Sequence, residues 1–266
     1  MSLASSMLKV PNLAASPAAN WTSAGRIAAA TTLVLGAAFP LAAHLMVPLT
    51  VRSVIDWLHW TADHPDLANL SKVFELLQMP FLFGTVLVYV LLSRERSPRI
   101  AYAGGILFGC GMVGLSAVHG YETLAYALAQ DGRFDLTALA DVVGAQSSTP
   151  AIVMLLIFLP FAFFGLLTSA VALWRSGAVP RAAVLLIVAF LVVDVFLGPE
   201  GFGIAPDWVS RVIAFVGACW IASAVLLAGR AGPSDEALRR VSRSTKQGVG
   251  MSGSSMASRG DTIENQ

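Results

Sequence analysis

Apolar residues along the chain fall into six long runs separated by short polar connections. The runs cover residues 27–49, 74–92, 100–118, 151–173, 182–197 and 209–227. A helix rises ~1.5 Å per residue, so about twenty residues cross ~30 Å of hydrocarbon. The pattern therefore predicts an all-α, polytopic transmembrane helix bundle of about six spans. The fifth run is the shortest and carries an acid, Asp194. Pro40, Pro80 and Pro160 lie inside the runs. In a bundle, neighbouring helices can satisfy the carbonyls that proline frees, so these positions read as kinks within spans.

The connections differ on the two sides. The first outer connection carries Trp57 and Trp60 at helical spacing, which predicts a short interfacial helix with its rings in the headgroup belt. The second, 119–150, contains YETLAYALA and FDLTALADVV, both with helical apolar spacing, and predicts two short surface helices. The third, LGPEGFGIAPDW, is a Gly/Pro turn. The inner connections are the basic turns SRERSPR and RSGAVPR.

Composition agrees with this layout. Of 266 residues, 56% are hydrophobic and 12% charged, whereas a soluble domain carries about 25% charged residues. So much apolar surface must face lipid. The net charge of +1 argues against a broad attraction to nucleic acid, and none is expected as a partner. With the N-terminus placed inside, the cytoplasmic pieces hold 13 of the 17 basic residues, leaving Arg52, Lys72, Arg133 and Arg211 outside. The outer connections hold Asp56, Asp63, Asp66, Glu122, Asp131, Asp135, Asp141, Glu200 and Asp207. The positive-inside rule then puts both ends in the cytoplasm of a bacterial inner membrane and supports an even number of spans.

Three regions follow. Residues 1–25 form a cytoplasmic N-terminal segment without a cleavable signal peptide, 26–230 the six-helix domain, and 231–266 a basic tail. The tail opens with a helical stretch in which Ser234 is the N-cap, and its Ser/Gly-rich part after Gln247 reads as disordered. Its RGD triplet at 259–261 faces the wrong side of the membrane for an extracellular receptor.

The chain also suggests an internal repeat. PFLFGTVLVYVLLSRERSPR from Pro80 aligns with PFAFFGLLTSAVALWRSGAVPR from Pro160 when two one-residue gaps are allowed. Gly84 then matches Gly165, and Arg94 matches Arg175. Two hairpins with basic inner turns also resemble each other by composition alone.

The string ALWRSGAVPRAAVLLIVA resembles the L-x-R-S-G-x-x-P-R turn and following helix of small, six-span bacterial membrane proteins of uncharacterised function. The matching residues are Leu173, Arg175, Ser176, Gly177, Pro180 and Arg181. The resemblance covers about 20 residues and implies a bacterial inner-membrane protein, with no activity to carry over.

Ionisable groups inside hydrocarbon cost roughly 2.5–3.5 kcal/mol at the bilayer centre, so each demands a reason. His44, Glu75, His119, Asp194 and Arg211 all fall in the outer third of the predicted bundle and form a candidate polar cluster. Asp194 and Arg211 lie on helices joined by a short turn, where an ion pair pinning the two helices is the simpler reading than a proton or cation site. His44 and His119 suggest haem or metal ligation, against which stands ordinary hydrogen bonding at the interface. His59 and His64, with Asp56, Asp63 and Asp66, read as a solvated acidic loop. Cys110 and Cys219, on different spans, read as small buried residues rather than a disulfide.

Helix three contains GGILFGCGMVG. Gly104, Gly105, Gly109, Gly111 and Gly114 give it a small face for close helix packing, within the bundle or with a protein partner or second copy. The phosphate-binding loop, H-E-x-x-H, C-x-x-C and G-x-S-x-G patterns are missing. No catalytic, cofactor-binding or metal-ligating set is assigned, and no cofactor is expected. The leading expectation is a non-enzymatic accessory, sensory or partner-binding bundle. A small ion-coupled permease is the alternative, and a haem-binding redox protein a third. A periplasm-active reporter fused after Arg230 should be silent, and one inserted between Asp131 and Asp135 should be active; the reverse pattern would invert the arrangement.

Overall fold

A computed structural model describes residues 16–51, 53–144, 151–197 and 207–229. These residues form a helical bundle without strands. A 3-10 turn, Pro17–Asn20, precedes α1 (Ser23–Met46), α2 (Val54–Asp63), α3 (Pro65–Ser93), α4 (Pro98–Gln130), α5 (Leu136–Gly144), α6 (Ala151–Ser176), α7 (Arg181–Val192) and α8 (Asp207–Ala228). Among the described residues, five stretches are long and apolar enough to cross a membrane: α1, α3, α4, residues 155–176 of α6 and residues 208–228 of α8. The fifth predicted run is α7, which has 12 residues and continues into a π-helical turn at Val193–Leu197. The Val193 amide donates to the carbonyls of Ala189 and Phe190, so the chain stays helical through the junction. The predicted tail helix, the disordered tail end, the third outer turn and residues 1–15 lie outside the described residues.

Helix ends follow local chemistry. The Thr22 hydroxyl accepts from the Gly25 amide, and Ser53 and Asp56 form a reciprocal capping box at α2. Proline opens α3 and α4, where its missing N–H leaves no bond unmade. The RSGAVPR turn is also legible. Ser176 Oγ accepts from the Ala178 amide and donates to the Leu173 carbonyl, while Gly177 takes φ +61°. Arg181 then lies 5.2 Å over the Trp174 ring.

Pro40, Pro80 and Pro160 all sit inside continuous helices, as expected. Two helices run further than their apolar runs. Helix α3 begins at Pro65, ahead of the predicted 74, and is about 44 Å long. Helix α4 continues to Gln130 and is about 50 Å long, absorbing YETLAYALA, which does not form a separate surface helix. FDLTALADVV does form one, α5.

Small residues set the contacts between long helices. A Cβ on Gly104 would stand 2.7 Å from Ser169 Oγ, one on Gly111 2.5 Å from the Ala162 nitrogen, and one on Gly165 would run into the Phe108 backbone. So α4 and α6 meet almost backbone to backbone. Gly105 faces Val90 of α3, while Gly109 meets open space, so the used face of α4 is narrower than its glycine content implies. Gly36 and Gly84 bring α1 and α3 together in the same way, against Thr85 and Thr32. Thus Gly84 and Gly165, aligned by the repeat, each lie where α3 or α6 presses on the long helix preceding it.

One apolar core runs through the bundle, with Leu33, Leu92, Leu173, Val184, Ile221 and Val225 at its centre. Two smaller clusters lie at the acidic end. Leu58, Ala125, Ala129, Leu139 and Val143 join α2, α5 and the end of α4, while Trp60, Ala68 and Tyr126 join α2, α3 and α4. The tryptophans of α2 turn inward: Trp60 is buried, and Trp57 meets Tyr126 edge-on at 4.5 Å. They pack there because the overlong ends of α3 and α4 offer an apolar wall in place of headgroups. The cysteines are free, Cys110 exposed and Cys219 half-buried, so neither is a core residue. At the Arg-rich end, Ser16 Oγ donates to the Ala178 carbonyl and Arg96 to the Ser176 carbonyl, tying the N-terminal turn and both basic turns together.

Gly165→Leu should cost about 2–3 kcal/mol or abolish folding, whereas Gly109→Leu should stay within ~0.5 kcal/mol. Thermal unfolding followed by helical circular dichroism in one detergent measures both. Equal losses would refute the α4–α6 interface.

Candidate functional site

Exposed apolar side chains mark a belt around the bundle. On α3 they run from Leu67 and Leu70 through Val73 and Leu77 to Phe83 and Leu87, and on α4 from Tyr102 and Ile106 to Val113 and Leu124. Counted at ~1.5 Å per residue, Glu75 and His119 lie about 8–12 Å inside the acidic-end rim of that belt. The opposite faces of α3 and α4 are where the ionisable groups gather.

Lys72, Glu75 and Gln78 recur at three-residue intervals on α3, and His119, Glu122 and Tyr126 at three and four on α4, so each set lies on one helix face. The Lys72 ammonium pairs with Glu75 and donates to Glu122 Oε2 at 2.7 Å. His119 Nδ1 lies 3.0 Å from Glu122 Oε2 and 3.5 Å from Glu75 Oε2. Its other nitrogen, Nε2, lies 3.0 Å from the Gln78 amide. Lys72 also sits 5.0 Å over the Tyr126 ring, whose edge is covered by Trp57. Lys72, Gln78 and His119 are each at most 7% exposed. With a neutral imidazole, two carboxylates face one ammonium, and the network carries one net negative charge.

The five residues singled out in the sequence do not form one cluster. Glu75 and His119 come together. Asp194 and Arg211 pair with each other, Oδ1 to Nη2, at 3.3 Å. Ser210 donates to the same Asp194 oxygen at 2.8 Å, and the Arg211 guanidinium lies 5.6 Å from the Phe190 ring centre. This is the helix-pinning pair, joining the π-turn to the start of α8. His44 Nδ1 is bonded at 2.8 Å within its own helix, to the Pro40 carbonyl.

Sequence reasoning missed Lys72 and Glu122, which it placed in outer connections, and Gln78, which it left unremarked inside the second span. The signal that finds them is the three-residue interval Lys72–Glu75–Gln78 followed through a continuous helix. Both ring nitrogens of His119 have protein partners, so any iron or other metal bound there would replace one of those contacts. Glu75, His119 and Glu122 place one ligating atom each within 4.8 Å of one another, which is the set able to hold a metal.

The five long apolar helices and their lipid-facing belt define an integral, multi-pass α-helical membrane protein. No protein-family model, no curated protein and no solved structure matches the chain.

Lys72→Met should cost about 3 kcal/mol, because it removes a buried cation shared by two carboxylates, one of them, Glu75, only 15% exposed. Asp194→Asn should cost no more than about 1 kcal/mol, since its ion pair is partly open to solvent and Ser210 can still bond to the amide. Chemical unfolding of the two variants side by side gives the difference, and an equal or reversed order would contradict this assignment of the buried charge.

Proposed function

We propose that the chain is a non-catalytic bundle of a bacterial inner membrane, with both ends cytoplasmic, that binds or senses a ligand or protein partner at its outward, acidic end. The observation carrying this reading is the Lys72–Glu75–His119–Glu122 network, inside the apolar belt yet beneath α2 and α5. Ionisable groups at such depth are retained for a use, and these lie one layer below an amphipathic cap. The RSGAVPR turn and the basic residues of the opposite end support the orientation.

An ion-coupled permease is the second reading, favoured by the same buried charges. It needs a polar route across the middle. There the bundle is filled by Leu33, Phe108, Leu166 and Ile187, and Thr85 bonds to its own helix at Phe81. The groove of about 430 Å³ along Trp21, Gly25, Thr32, Gly84 and Leu87 lies between α1 and α3 and is mainly apolar. It gives no continuous polar path.

Two measurements separate the readings. Purified protein in proteoliposomes should pass no more protons across an imposed pH gradient than empty vesicles. A photo-reactive residue at the exposed Val142 of α5 should give a discrete adduct in native membranes, and one at Leu226 near the other end should not. Proton flux that Glu75→Gln removes would replace the binding reading with the permease.

A further inference from the structure

The spacing within the buried network matches a coordination sphere. Zinc and similar ions hold histidine nitrogen and carboxylate oxygen at about 2.0–2.2 Å, which puts neighbouring ligands of a tetrahedral site about 3.4 Å apart. His119 Nδ1 lies 3.0 Å from Glu122 Oε2 and 3.5 Å from Glu75 Oε2. The ligands come from two packed helices, with His119 and Glu122 three residues apart on one, and the three ligand atoms lie within 4.8 Å of one another.

Two further observations point to a cation. Metal-bound histidines characteristically donate their second ring N–H to a protein acceptor, which fixes the tautomer. His119 Nε2 faces the Gln78 side-chain amide at 3.0 Å, and turning that amide presents its oxygen to an Nε2–H. The charge count also leaves room for a cation, because Lys72 is the one ammonium beside Glu75 and Glu122, and the His119 imidazole that bridges them balances neither while neutral. Lys72 Nζ makes its contact with the Tyr126 ring, 5.0 Å from the ring centre, in the same position in which it holds both carboxylates.

From this geometry we propose that Glu75, His119 and Glu122 bind one first-row divalent metal ion, of the zinc, cobalt or manganese type. Lys72 is the charge displaced by the ion, and Gln78 is the residue that orients His119. An imidazole ligand disfavours magnesium and calcium, which take oxygen ligands. Three protein ligands leave at least one position for water, so the ion is exchangeable. This inference rests on the reading of the acidic end as a ligand-facing surface and names that ligand.

The test uses the full chain in detergent, stripped with a chelator and titrated with cobalt(II). The wild-type protein should bind one equivalent with a visible ligand-field band that zinc bleaches. His119→Gln and Glu75→Gln should weaken binding at least tenfold, Gln78→Leu about tenfold, and Asp194→Asn not at all. Glu122→Asp keeps the charge but shortens the arm; folded by circular dichroism, it should also bind more weakly. Lys72→Met should bind more tightly, and zinc should raise its melting temperature more than that of the wild type. Absence of the band in both wild type and Lys72→Met, or binding indifferent to His119→Gln and Glu122→Asp, would overturn the metal site. The Val142 adduct and the flux measurement are made without added metal, so the binding reading stands or falls separately.

Discussion

Lipid removes the force that packs helices in water. A leucine against an acyl chain is as well placed as a leucine against another helix, so association depends on how closely backbones approach. Here that approach is concentrated in α4 and α6, where Gly104, Gly111 and Gly165 allow main chain to touch main chain. The same solution recurs between α1 and α3 through Gly36 and Gly84. Because α3 also packs on α4, these close contacts form one chain of neighbours, α1 to α3 to α4 to α6, and hold the two faces bearing the ionisable residues in register. A side chain added at the α4–α6 contact would move α4 and carry His119 and Glu122 away with it.

The buried network shows how charge is tolerated in such a bundle. None of its ionised groups faces lipid alone. Lys72 touches both carboxylates, the imidazole bridges between them, and aromatic rings from α2 and α4 close the top. Burying ions is costly unless their remaining bonding capacity is met by good geometry, and removing one member leaves the others stranded. The Asp194–Arg211 pair belongs to a different regime. It is about a quarter exposed and shares an oxygen with Ser210, so it fastens α7 to α8 at smaller energetic stake.

Much of this was legible in the sequence, for physical reasons. Uninterrupted apolar runs exist because lipid-facing positions tolerate little else, and the helices with internal prolines followed from the lack of water to compete for their backbones. The Asp194–Arg211 pairing was readable because a short connection forces α7 and α8 to be neighbours. What hydropathy could not see was the length of α3 and α4. Their outer turns carry Lys72, Glu75, His119 and Glu122 on the inner face, which lowers the average and makes a helix look like a loop. The orientation of Trp57 and Trp60 was hidden for the same reason, since the wall they rest on is made by those extensions. The π-turn of α7 left no mark in its apolar pattern.

The bond from Ser16 to Ala178 has a consequence for the order in which the molecule comes together. Its partners are separated by 162 residues, and Ala18 beside it is fully enclosed. During synthesis, the surface that receives the N-terminal turn does not exist until the hairpin after α6 has been delivered to the bilayer. Until then the Ser16 turn lacks this docking surface, and its docking follows the arrival of that hairpin. A segment made well before α6 thereby settles only after it, so this contact closes late in assembly.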